Sequence, residues 1–139
     1  MKYNFPVVII DEDYHSETAS GLGIRDVAKA IESHDISVVA VTSFSDLTSF
    51  ARQQARAGAF IISMDDEDFG DEAAVRELRE FVRKVRRENN DVPIFLYGET
   101  RTANNVPNEV SRELHGFINM FEDTPDFVAR YIVREVRQY

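Results

Sequence analysis

The chain has 139 residues, 43% apolar and 11% aromatic, with 25 acidic against 16 basic side chains and a formal net charge of −9. That length suffices for one compact domain whose core needs no covalent staple, and the apolar share excludes a disordered segment. The charge repels phosphate backbones and anionic lipid, so neither nucleic acid nor membrane is an expected partner, and the absence of cysteine fits a cytoplasmic location.

In chain order, the apolar run at residues 6–10 is cut off by acids and is too short for a signal peptide or a membrane span. From there, short apolar runs alternate with helical periodicity five times. Strands are expected at residues 7–10, 37–41, 59–63, 94–97 and 117–120. Between the first two, Ile24, Val27, Ala28 and Ile31 recur at i, i+3, i+4 and i+7, one buried helix face. Ser43 is the expected N-cap of a second helix, with Asp46 at N3, an apolar stripe of Leu47, Phe50, Ala51 and Ala55, and Gly58 as its close. A third helix opens at Asp71 and Glu72 and buries Val75, Leu78, Val82 and Val85. It ends in the basic run 83–87, where cations oppose the negative end of the helix dipole; this reading is preferred to a binding patch. Residues 89–91, Asn-Asn-Asp, form the exit turn.

The polar stretch before Pro107 is expected to be a mobile loop, and Pro107 opens a short fourth helix carrying Val110 and Leu114. Thr124 and Pro125 open the fifth helix, with Val128, Ile132 and Val136 on one face. It lacks a stop signal, so it is expected to continue past residue 139 and to dock poorly at its end. The alternation predicts an α/β fold in a single domain over 1–139: a five-stranded parallel sheet with helices on both faces, of the flavodoxin or receiver type.

Receiver chemistry needs two acids after the first strand to hold Mg²⁺, an aspartate nucleophile ending the third, a hydroxyl ending the fourth and a lysine ending the fifth. Asp11 and Glu12 supply the acid pair. The nucleophile position falls on Met64, the hydroxyl position on Gly98 and the lysine position on Met120, followed by Phe121. Asp65 is one residue late, and a one-residue slip on a strand points a side chain to the opposite face. Phosphotransfer is therefore not expected, and the acid pair is read as vestigial.

Other chemistry is thin. The stretch 15–23, HSETASGLG, matches neither phosphate-binding glycine pattern, and Glu17 opposes an anion, so a polar connection is preferred. His15, His34 and His115 share no metal-ligand spacing. The run Asp65, Asp66, Glu67 and Asp68 lacks the alternation and central glycine of a calcium loop and is read as a solvated acidic loop.

Four motifs carry a resemblance: VIIDEDYHSET at the start, VTSFSD, NDVPIFLYGET, and FEDTPDFVARYIV near the close. On these the chain resembles the N-terminal, receiver-like wing domain of the bacterial inducible ornithine/lysine/arginine decarboxylases, nearest to the acid-induced arginine type. The resemblance implies a catalytic domain beyond residue 139 that carries pyridoxal phosphate, and none in this segment: Lys2, Lys29 and Lys84 are its only lysines, and none lies in a Ser-x-His-Lys motif. It implies a homo-oligomer in the cytoplasm, dimers at neutrality joining into a larger ring at acid pH. Asp65, Asp66, Glu67, Asp68, Asp71 and Glu72 are the candidate pH-sensing assembly surface, their pKa values raised as like charges meet across the interface. In lysine-type relatives an arginine near the position of His115 contributes to an alarmone site, and His115 does not carry that role over. The alternative is a free-standing pseudo-receiver that binds a signalling partner without phosphotransfer.

Overall fold

A computed structural model describes residues 5–47, 57–89, 91–99 and 104–139. Its strands are β1 (Val7–Ile10), β2 (Val38–Val41), β3 (Ala59–Ser63), β4 (Ile94–Gly98) and β5 (Gly116–Asn119). They form one parallel sheet in the order β2-β1-β3-β4-β5. All four residues of β1 are buried, as a strand covered on both faces requires. The last strand runs one residue earlier than expected because Asn119 pairs with Gly98 and the His115 N–H already donates to the Ile94 carbonyl at 2.8 Å.

Two helices cover one face. Helix α1 (Ala19–Glu32) buries Ile24, Val27, Ala28 and Ile31, the face its periodicity predicts, and Thr18 caps it by accepting from the Gly21 N–H. The C-terminal helix α5 (Pro125–Gln138) starts at Thr124 as N-cap and buries Val128, Ala129, Ile132, Val133 and Val136. Both pack on Val7, Ile9, Ile61 and Phe95. Each fully buried aliphatic side chain contributes about 1.5–3 kcal/mol here.

The opposite face is covered by α3 (Glu72–Glu88), which buries Leu78, Val82 and Val85 against Val8, Ile62, Ile94 and Leu96. Val75 is only half-buried. Helix α4 is the single turn Asn108–Ser111, with Pro107 at its N-cap; Val110 is buried on it, and Leu114 packs beyond its end. An unexpected element, α2 (Asp66–Phe69), stands between β3 and α3. The acidic run is therefore a capped helical turn and not an open loop. Asp65 is its N-cap, accepting from the Asp68 N–H at 2.8 Å, while the Asp68 carboxylate accepts from the Asp65 N–H at 2.9 Å, a reciprocal capping box.

Two further expectations change. Ser43 does cap, but the element it heads among the described residues is a 3-10 turn, Phe44–Asp46, with Leu47 buried after it; Phe50, Ala51 and Ala55 lie outside the described residues. Asn90 and residues 100–103 of the polar loop lie outside them too. The end of α5 is docked: Val136 is buried, and Tyr139 packs against the second core and its hydroxyl accepts from the Asn89 side-chain amide. The sequence pattern missed this anchor because it comes from a polar turn residue 50 positions away.

Candidate functional site

In this fold the carboxyl ends of the parallel strands form the usual ligand crevice. There a small cavity of about 50 Å³ is lined by the loop after β1, by the β3–α2 junction and by the ends of β4 and β5. Asp11 is buried, and both of its oxygens are used: one accepts from the Ser63 hydroxyl at 2.6 Å, the other from the Asp13 N–H at 2.8 Å. Burial pushes its pKa up, and the two hydrogen bonds only partly offset that. Glu12, exposed beside it, is also raised, by desolvation first and then by the charges of Asp13, Asp65 and Asp11.

Met64 occupies the nucleophile position, buried and packed into the second core. A thioether there accepts no phosphoryl group. Gly98 lies opposite it, and a Cβ on Gly98 would stand 2.5 Å from the Met64 carbonyl oxygen. The backbones approach too closely for the serine or threonine a receiver carries here. Met120 lines the cavity where a receiver has its lysine.

The six acids of the expected assembly surface divide. Asp65 and Asp68 line the cavity with Asp11, Glu12 and Asp13, whereas Asp71 and Glu72 head α3, Asp71 capping it by accepting from the Ala73 N–H at 2.9 Å. Asp66 and Glu67 lie in α2 away from the cavity wall. Asp68 titrates far from its ordinary value, at about 6, chiefly because its carboxyl is desolvated, with Asp65 and Glu12 adding repulsion. This shift arises inside one chain and needs no neighbour. Ser20, Ser63, Met64 and Tyr97 complete the wall with Met120; Ser63 follows Ile62, the register partner of Ile10, and so stands beside Asp11, a pairing the acid pair alone did not reveal.

A second surface was also missed. Arg79 and Arg83 both pair with Glu109, and Arg86 pairs with Glu113 at 2.9 Å. Arg86 also donates to the carbonyls of Asn89, Val92 and Glu113. These contacts clamp α4 and the start of β5 onto α3 beside a groove of about 660 Å³. The basic run thus does more than oppose a dipole. Its signal was the i, i+4, i+7 spacing of Arg79, Arg83 and Arg86 facing Glu109 and Glu113 at i, i+4.

No group of three or more His, Cys, Asp or Glu among the described residues is placed to hold a metal ion. The arrangement does not fit pyridoxal phosphate either: Lys29 and Lys84 are exposed on helix surfaces, and neither the cavity nor the groove has a lysine in its wall. Lys2 lies outside the described residues. No described helix is long and apolar enough to cross a membrane.

Residues 19–139 match the family described as Orn/Lys/Arg decarboxylase, N-terminal domain. The chain is 30% identical to the lysine decarboxylase LdcA of Pseudomonas aeruginosa, over 97% of this chain. It is 26% identical to the biodegradative arginine decarboxylase of Escherichia coli over 96%. It spans only 18% of the length of either enzyme. A solved structure of lysine decarboxylase A from P. aeruginosa is similar over 99% of this chain and 19% of its own, at a TM-score of 0.83 and 26% identity. A response regulator receiver domain from Clostridium thermocellum matches over 96% of this chain and 95% of its own, at 0.67 and 9% identity, a likeness of fold.

Proposed function

Because the chain belongs to the family of Orn/Lys/Arg decarboxylase N-terminal domains, we propose that residues 1–139 are the non-catalytic assembly domain of a pyridoxal-phosphate-dependent basic amino-acid decarboxylase. In this reading the catalytic domain lies beyond residue 139 and carries the cofactor, and the enzyme works in the cytoplasm, where it consumes protons under acid stress. The observation that carries it is a family match over a receiver-like fold whose phosphoryl-accepting position is a buried methionine. Fold alone does not assign chemistry, and here Met64, Gly98 and Met120 remove the groups that receiver chemistry uses.

The acids at the strand ends give assembly a dependence on pH. Asp68, at about 6, sheds negative charge as the medium acidifies, and like-charged chains then repel one another less. Dimers near neutrality accordingly join into a larger ring in acid. The free-standing pseudo-receiver is the weaker reading, since its likeness to a receiver domain, at 9% identity, is one of fold.

Activity assays on the isolated chain test the non-catalytic part. Incubation with pyridoxal phosphate and lysine, arginine or ornithine is expected to release no CO₂ above blank. Incubation with acetyl phosphate and Mg²⁺ is expected to leave no acyl phosphate. Turnover in either reaction refutes this reading.

A further inference from the structure

The strand-end cavity gathers more negative charge than its own wall can neutralise. Asp11, Glu12, Asp13, Asp65 and Asp68 all line it, and among the described residues no lysine, arginine or histidine does. The first turn of α1 reaches the wall through Ser20, but a helix N-terminus offers only about half a positive charge. A methionine, Met120, stands where a lysine would close the circuit in a receiver.

Tyr97 points independently to a ligand. It is 4% exposed and lines the same cavity, and its hydroxyl has no hydrogen-bond partner among the described residues. Burial, followed by the Asp11 and Asp26 charges, pushes its pKa up to about 12, so the phenol is neutral and its oxygen lone pairs are free to accept. With the rest of the side chain buried, the hydroxyl is the part of Tyr97 left to meet a group entering the cavity.

Size and geometry narrow the class. The volume of about 50 Å³ admits a group of one or two water volumes, each about 30 Å³, and hence a head group with its tail in solvent. The carboxylates are not placed to ligate a metal ion. An ammonium, in contrast, carries three donors that reach acceptors at longer hydrogen-bond distances. We infer that this cavity binds a primary ammonium group, that of a basic amino acid or of the diamine left when one is decarboxylated, between Tyr97 and the surrounding carboxylates. The choice of those amines rests on the proposed function; the site does not. Of the two, the diamine is expected to bind more tightly, because the α-carboxylate of the amino acid is repelled by the same acids.

The test is an NMR amide titration of the 139-residue chain at pH 7.5 and fixed ionic strength. The probes are methylammonium, tetramethylammonium, MgCl₂, L-lysine and 1,5-diaminopentane, each as the chloride. Amides of Asp11, Asp13, Ser63, Asp65 and Gly98 should shift saturably with methylammonium and with the diamine, more weakly with L-lysine, and not with tetramethylammonium, which has no N–H. Tyr97→Phe should weaken methylammonium about tenfold, the loss of one hydrogen bond to a charged group. Met120→Lys should raise the melting temperature and abolish the saturable shift by supplying the ammonium from within. Equal shifts with tetramethylammonium, saturation by MgCl₂ alone, or unchanged affinity in both variants overturns the proposal. A flat titration removes the site and leaves the assembly reading intact; an enzyme whose assembly ignores this domain leaves the amide shifts unchanged.

Discussion

Asp68 makes the fold itself sensitive to pH, and Asp68→Asn isolates that sensitivity. Its carboxyl titrates near 6 in the folded chain against an ordinary 3.8. A carboxyl with a raised folded pKa binds its proton more tightly in the native state than in the unfolded one. The stability it contributes is therefore fully present below about pH 3.8 and is lost as pH rises through about 6. At about 1.4 kcal/mol per pH unit the interval amounts to about 3 kcal/mol; Asp68 is only half-buried, and solvent screening reduces that to about 1 kcal/mol. The asparagine keeps an oxygen to accept from the Asp65 N–H, so the α2 cap survives while the charge is removed. Urea denaturation followed by circular dichroism, for both chains between pH 4 and pH 8, reads the difference directly. The variant should match the parent at pH 4 within about 0.5 kcal/mol and exceed it by about 1 kcal/mol at pH 7.5. A difference that is constant across this range, or one that grows toward acid, refutes the assignment of the shift to Asp68.

Gly98→Ala should cost about 3 kcal/mol, the upper end for overpacking, because its Cβ meets a backbone oxygen at 2.5 Å and backbone yields less than a side chain; the urea midpoint checks this. Arg86→Ala removes a guanidinium only 13% exposed from Glu113 and three carbonyls and should cost about 3 kcal/mol. Arg83→Ala, at a side chain 64% exposed, should cost less than about 1 kcal/mol in the same assay. Hydrogen exchange should protect the Val133 and Val136 amides as strongly as those of Val27 and Ile31, since all four side chains are buried; fast exchange at Val136 would show that the end of α5 is undocked.

The sheet was legible because its central strands are apolar along their whole length and α1 and α5 carry a clean 3.6-residue stripe. The acid pair and the substituted receiver positions were legible because strand ends count reliably from an apolar run. The features that escaped a sequence reading arise from contacts between segments distant in the chain. The Ser63 hydroxyl on Asp11 spans 52 positions, and the Arg86 side chain reaches Glu113 across 27. The α2 turn was misread because four acids in succession look solvated, although Asp65 and Asp68 stand at the i, i+3 spacing of a reciprocal cap. Desolvation of Asp68 depends on where that turn lies against the strand ends, which no local pattern encodes.

The assembly role is tested most directly by sedimentation velocity of the full-length decarboxylase, with and without residues 1–139, at about pH 5 and about pH 8, a range spanning the titration of raised carboxyls. The intact enzyme should pass from dimers at the higher pH to a larger ring at the lower, while the truncated enzyme stays dimeric at both and keeps its turnover per cofactor. A truncated enzyme that still forms the large species in acid, or one that loses turnover while still dimeric, would contradict the assignment of residues 1–139 as a non-catalytic assembly domain.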